Sequence, residues 1–217
     1  MATNIFGKEG ETTLRALTPA YRLREVDQTQ PAGQWETDVI SDVYQIRRAT
    51  ASDWSTFSDC VTVDSSGNVT ILGNLTVTGD IAIKFDPTPT DESYSGISAT
   101  FTAAESLVIG DVTYLDSSSE MAKAVGTASG TMPARAICTA TIAASGSGVF
   151  LIQGFMQSTA KFGSFTPGAT LYAPEGSGGI PTATAPSTSG DFVQTIGYAY
   201  DANTVYFSAD GTLIEIS

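Results

Sequence analysis

The stretch Val69–Ile83 reads Val-Thr-Ile-Leu-Gly-Asn-Leu-Thr-Val-Thr-Gly-Asp-Ile-Ala-Ile, and it is the most regular pattern in the sequence. Apolar-small-apolar triplets alternate with three-residue turns, so the pattern repeats every six residues. Gly73 and Gly79 occupy matching turn positions, where glycine adopts a positive φ without steric strain. The repeat predicts three short strands whose apolar side chains form two rows: Val69, Leu75 and Ile81 in one, and Ile71, Val77 and Ile83 in the other.

These predicted strands need partners from outside the repeat. A three-residue strand is too short to stand alone, because even a two-stranded hairpin is only marginally stable in water. Three copies wound about a common axis would pair the strand edges and bury all six aliphatic side chains of each copy. The sequence therefore predicts a short trimeric β-fibre or β-prism with these six residues at its interface. The alternative is an ordinary sheet within one chain, with Gly73-Asn74 and Gly79-Asp80 as tight turns.

Composition excludes several classes of function. The chain has 217 residues, no histidine and a net charge of −13, so neither a Ser-His-Asp triad nor a His-ligated metal site can form. Clustered Lys and Arg, which nucleic-acid binding requires, are absent, and no apolar run approaches the length of a membrane span. We therefore expect no enzymatic activity, catalytic residue, metal ligand or cofactor, and no nucleic-acid or membrane partner.

The chain divides into four predicted segments. Residues 1–33 form an extended arm, because Pro19 interrupts any long helix. Residues 34–85 form a β-rich stem that contains the repeat. Residues 86–100 are rich in proline and serine and are predicted to be a hinge. Residues 101–217 form a C-terminal β domain, and −9 of the net charge lies beyond residue 85.

The C-terminal segment shows short apolar runs separated by turn signals, which favours an antiparallel β-sandwich or small barrel in an all-β protein. No alternation of strands with helical patterns is present. The candidate strands are Leu107–Ile109, Val112–Leu115, Ala136–Ile142, Val149–Met156, Thr170–Ala173, Phe192–Tyr200, Thr204–Ser208 and Leu213–Ile216.

Two parts of the sequence resemble proteins of tailed bacteriophages. The stretch Val63–Gly79, Val-Asp-Ser-Ser-Gly-Asn-Val-Thr-Ile-Leu-Gly-Asn-Leu-Thr-Val-Thr-Gly, resembles the linker repeat of phage fibres and other virion appendages. The C-terminal segments 110–115, 150–155, 167–172 and 190–198 are similar to a terminal domain of phage virion and tail proteins. The resemblance covers most of residues 61–217.

The resemblance implies a homotrimeric virion structural protein that is assembled in the host cytoplasm. In this interpretation it is a capsid decoration or head-fibre protein that stabilises the particle, and its partners are other copies of itself and the major capsid protein or tail and connector proteins. The N-terminal part would dock on the virion through its apolar side chains Leu14, Leu17, Tyr21 and Leu23.

The alternative is a tail fibre or tail-fibre adaptor whose C-terminal domain binds a glycan on the host surface. Tyrosines of that domain could stack against sugars, and Tyr198 and Tyr200 would share one face of a strand. More often such a face is core or subunit interface. The tyrosines are Tyr94, Tyr114, Tyr172, Tyr198, Tyr200 and Tyr206.

Overall fold

The computed structural model describes residues 19–25, 28–176 and 179–217. It confirms the all-β prediction: 42% of the chain is strand, all sheets are antiparallel, and the described ranges contain no α-helix, only a 3-10 turn at Ser129–Thr131. Within those ranges no helix is long and apolar enough to cross a membrane. The chain forms two compact units, Met1–Ile81 and Ala82–Ser217.

The first unit contains one antiparallel sheet of five strands that lie side by side in chain order. Ser41 and Asp42 form the two-residue turn between the second and third strands, and both have the positive φ of a type I′ turn. Arm residues 20–24 are thus a paired edge strand of this sheet, which corrects the extended-arm prediction at these positions. The strands are β1 (Ala20–Arg24), β2 (Gln34–Ile40), β3 (Val43–Ala49), β4 (Phe57–Val63) and β5 (Val69–Ile71).

Only the first triplet of the six-residue repeat is a strand in the single chain. β5 pairs with β4, placing Val69 opposite Val63 and Ile71 opposite Val61. The other two triplets, 75–77 and 81–83, have no strand partner among residues 19–25, 28–176 and 179–217. A three-residue segment without a partner cannot satisfy its backbone groups through a ladder, so these triplets do not become strands on their own.

The second unit contains a curled sheet of eight strands and a separate two-stranded ribbon formed by the twelfth and fifteenth strands. The longest strand, the tenth, pairs with the sixth, ninth and fourteenth. The strands are β6 (Ser93–Thr102), β7 (Val112–Leu115), β8 (Met121–Lys123), β9 (Ala136–Cys138), β10 (Ser147–Gln157), β11 (Thr170–Tyr172), β12 (Phe192–Val193), β13 (Thr195–Ala199), β14 (Thr204–Ser208) and β15 (Ile214–Glu215).

The inner face of the curled sheet carries the main hydrophobic core, and a smaller cluster covers part of its other face. Alternate residues of β10 separate the two: Leu151 and Met156 lie in the main core, whereas Phe150 lies in the smaller cluster. The other fully buried large side chains of the main core are Ile137, Phe162, Leu171, Ile196 and Phe207.

The structure corrects the predicted hinge at residues 86–100. Ser93–Thr102 is a full strand, β6, that pairs with β10 over its whole length, so the C-terminal sheet begins before residue 101. The acidic side chains that precede β6 are also fixed: Asp91 accepts hydrogen bonds from the backbone and hydroxyl of Thr159, and Glu92 accepts one from Ser158. Serines and a glycine on both faces of this segment interrupt its apolar pattern, so the sequence predicts a spacer there.

Candidate self-association surface

One face of the N-terminal sheet is polar and yet buried. Gln34, Glu36 and Asp38 alternate along β2 and are at most 4% exposed. The carboxylate of Glu36 accepts hydrogen bonds from Arg22 Nε at 2.5 Å and from Arg47 Nη2 at 2.6 Å, and Arg47 also pairs with Asp38. The arginine side chains of the same chain therefore cover the polar face.

Aromatic rings complete the cover over the charged side chains. The guanidinium of Arg47 lies 4.4 Å from the ring centre of Phe57, and that of Arg22 lies 5.1 Å from the ring of Trp54. Burial raises the pKa of Asp38 above its ordinary value, although Arg47 acts in the opposite direction. The polar face thus behaves as an interior, with buried charges held in pairs.

The opposite face of the same sheet is mostly apolar, with Arg48 lying beside Trp35 on it. The strand register places Tyr21, Thr37, Ile46, Val61 and Ile71 in one line across all five strands. Two further lines flank it with the apolar side chains Leu23 and Trp35 on one side, and Val39, Tyr44, Val63 and Val69 on the other. We call these residues the apolar face.

The apolar face is largely open to solvent in the single chain, which reverses the usual arrangement of a half-buried sheet. A contiguous surface of this kind marks an interaction site, because soluble monomers rarely expose large apolar patches. Seven of its side chains are between 38% and 62% exposed: Tyr21, Leu23, Trp35, Val39, Tyr44, Val69 and Ile71.

The six aliphatic residues predicted to form the trimer interface are all exposed in the single chain, by 41% to 62%. Val69 and Ile71 line a sheet inside one chain, as the alternative predicts, but they lie on its exposed face. Val69 and Ile71 belong to the apolar face, and Leu75, Val77 and Ile81 follow in the same unit without strand pairing. Ile83 is exposed too and lies just beyond the boundary between the units.

The residues predicted to dock on the virion fall into two groups. Tyr21 and Leu23 are exposed and belong to the apolar face, so the structure brings them together with Val69 and Ile71 on one surface. Leu14 and Leu17 lie outside the described residues. Sequence reasoning missed Trp35, Val39 and Tyr44, although their alternation with Gln34, Glu36 and Asp38 was the available signal.

Reactive side chains are few in the described ranges. No group of three His, Cys, Asp or Glu side chains within them could hold a metal ion. Cys60 and Cys138 are free thiols, and burial raises the pKa of Cys138 to about 11, which keeps its sulfur protonated at neutral pH. The apolar face is therefore the main candidate for a functional surface in the described ranges.

Comparison with known proteins leaves the family open. No protein-family model matches this chain, and no curated protein sequence matches it either. The features of this chain that bear on function are the two faces of the N-terminal sheet and the six-residue repeat.

Proposed function

We propose that this protein is a homotrimeric structural protein of a tailed-bacteriophage virion, of the capsid decoration or head-fibre type. It docks on the shell through its N-terminal part and stabilises the particle. One observation carries this proposal: the apolar face is exposed while the polar face of the same sheet is closed by the chain's own arginines. The resemblance of residues 63–79 to phage linker repeats supports the virion setting.

Other copies of the chain are the partners that best fit this surface. Val69 and Ile71 belong both to the apolar face and to the repeat, so the two predicted contact regions share residues. The triplets 75–77 and 81–83 are unpaired within the described ranges, and equivalent segments of other copies would give them partners. Burying each aliphatic side chain contributes roughly 1.5–3 kcal/mol before the loss of chain entropy, so a trimer gains from many small contributions.

Docking would stabilise the particle because the protein binds the assembled shell. A protein that binds assembled shell subunits and not separated ones raises the free energy needed to pull them apart. Tyr21 and Leu23 lie on the edge strand β1, where they can contact a shell protein beside a trimer contact formed by β5 at the opposite edge. The sheet order thus allows one face to serve two partners.

Sedimentation equilibrium of the full chain tests the trimer. We expect the unmodified protein to sediment as a trimer and Leu75→Asp to weaken association by more than about 100-fold, because a buried unpaired charge costs several kcal/mol. Thr76→Asp is the matched control. It introduces the same charge at the next residue, whose side chain points away from the two apolar rows in the predicted strand. A stable monomer for the unmodified chain, or an intact Leu75→Asp trimer, would contradict the proposal.

Copy number in purified particles tests the location on the virion. Quantitative gel analysis should give on the order of hundreds of copies for a shell decoration, because decoration follows the shell lattice. Leu23→Asp should reduce incorporation while the protein remains folded. A count of only a few to a few tens of copies would place the protein on the tail instead.

A further inference from the structure

The outer face of the second unit's sheet carries a row of aromatic side chains bordered by hydroxyls. Strand pairing places Ser95, Phe155, Tyr206, Tyr198 and Thr170 in one line across five strands. The residues next to the three rings along each strand point the other way, towards the main core. The aromatic row is therefore not part of that core.

The rings of this row support one another. Tyr198 stacks on Tyr206 with ring centres 5.0 Å apart, and Phe155 lies 4.9 Å from Tyr206. Tyr200 packs edge-on against Phe155 at 5.6 Å. Tyr198 and Tyr200 remain 42% and 41% exposed. Rings fixed in this way lose little further freedom when a ligand packs on them.

A polar cleft adjoins the aromatic row. The side-chain amide of Gln153 donates a hydrogen bond to the hydroxyl of Tyr206 at 3.0 Å. Gln153 also lines a cleft of about 320 Å³ together with Arg135, Ser208 and Ile152. The register of β10 against β6 shifts between Leu151 and Gln153, and such a bulge redirects side chains. Gln153 thus joins the cleft to the rings, because it lines the cleft and bonds Tyr206.

Arg135 supplies free hydrogen-bond donors to this cleft. Its side chain is exposed and forms no ion pair with any residue in the described ranges. It is one of three basic residues after residue 85, in a region of net charge −9. A negatively charged polymer would be repelled by this domain as a whole, whereas the five N–H donors of Arg135 suit neutral oxygen acceptors.

We propose that the aromatic row and the Arg135 cleft together form a binding site for a neutral oligosaccharide. The C–H face of a hexose packs flat on an aromatic ring, while its hydroxyls need donors and acceptors at the rim of the site. Here the rim consists of hydroxyl and amide groups from Thr170, Ser208 and Gln153, while the hydroxyl of Ser95 accepts a hydrogen bond from the backbone of Asp86. The apolar face of the first unit, by contrast, is mostly aliphatic and suits a protein partner.

The site lies within one chain and does not depend on the proposed structural role. The test applies the full-length protein to an array of immobilised oligosaccharides: neutral ones of glucose, galactose, mannose and N-acetylglucosamine, and acidic ones with uronic or sialic acid. We expect retention on at least one neutral sugar, and titration calorimetry with that free sugar then gives the affinity. Tyr198→Ala should weaken binding at least about tenfold, Arg135→Ala should weaken it, and Tyr198→Phe should preserve it.

Leu115→Ala is the control for loss of an exposed apolar side chain in the same unit, and it should bind like the unmodified protein. Tyr200→Ala replaces Tyr198→Ala if that variant does not fold. Retention on acidic sugars only, no retention on any neutral sugar, or unchanged affinity in the tyrosine-to-alanine variant that folds overturns the proposal. So does dissociation of the oligomer by Tyr198→Ala in sedimentation, since the rings would then be a contact between copies.

Discussion

Gly197 lies on β13, close against the backbone of β14. Its φ is +144°, and a Cβ built on it would collide with the carbonyl oxygen of Tyr206. Phe207 lies directly opposite on β14 and has Gly154 on its other side. The small residues let these strands approach, and the position accepts no side chain without movement of the backbone.

Gly197→Ala should therefore lower the free energy of unfolding by roughly 2–4 kcal/mol, because it combines a steric clash with an unfavourable φ. Urea denaturation followed by fluorescence measures this change. Gly190→Ala is the matched control. The φ of Gly190 is also positive, at +90°, but no atom lies within 4 Å of the added Cβ. The control should cost only about 1–2 kcal/mol. Equal losses in the two variants would show that packing at Gly197 contributes nothing.

Asp111 gives the second unit a pH-dependent contribution to stability. Its carboxylate is fully buried, accepts a hydrogen bond from the backbone of Val108 at 2.9 Å and lies 3.6 Å from the ammonium of Lys123. Burial raises its pKa above the ordinary value of 3.8, against the effects of the hydrogen bond and of Lys123. The folded state thus binds this proton more tightly than the unfolded state.

The contribution of Asp111 is fully present below the unfolded pKa and is lost as the pH rises through the folded pKa. Asp111→Asn lacks this titration. The stability of the variant relative to the unmodified protein should therefore increase as the pH rises from about 3 and level off once the buried carboxyl has ionised. Urea midpoints measured at several pH values test this. A difference that is constant, or that decreases with pH, would exclude the burial effect.

The strand β2 carries buried polar side chains on one face and exposed apolar side chains on the other. Arg47→Met should cost about 3–5 kcal/mol, because it leaves Glu36 and Asp38 buried without their shared cation. Arg48→Met, on the next residue of β3, is the control and should change stability by less than about 1 kcal/mol because Arg48 is exposed. Thermal denaturation compares the two. Similar losses would mean that the ion network does not stabilise the polar face.

Several strands follow directly from local patterns. β7, β10, β11 and β14 lie within about two residues of their predicted ranges, because each is an apolar run between turn residues. β6 was missed, since serines and a glycine dilute its apolar alternation. One predicted strand, 192–200, is divided at Gln194, whose buried side chain bonds the backbone of Ala134 and Asp210. Such long-range bonds leave no local signal.

The candidate surface was only partly predictable for a related reason. Val69 and Ile71 were found through the repeat, but Trp35, Val39 and Tyr44 look like ordinary core positions of a half-buried strand. Which face of β2 is interior depends on Arg22 and Arg47 reaching Glu36 from two neighbouring strands. Ion pairs between strands therefore determine that the polar face is buried and the apolar face exposed. The periodicity of the sequence shows that the two faces differ, but not which of them is buried.

At the scale of the whole molecule, each chain carries a net charge of −13, which opposes association of copies. The proposed contacts are apolar, so salt should screen the repulsion without weakening them. We expect the dissociation constant of the trimer to fall when NaCl is raised from about 20 mM to about 500 mM. Sedimentation equilibrium at both salt concentrations measures it. Weaker association at high salt would indicate that ion pairs hold the copies together.

The position of β6 has a mechanical consequence. Every one of its ten residues is paired with β10, and β6 is the first strand that the chain enters after the segment joining the two units. A tensile force transmitted along that segment from an anchored N-terminal unit therefore loads β6 before any other strand of the curled sheet. The segment between the two units accordingly leads into β6, which takes part in the longest strand pairing of the second unit.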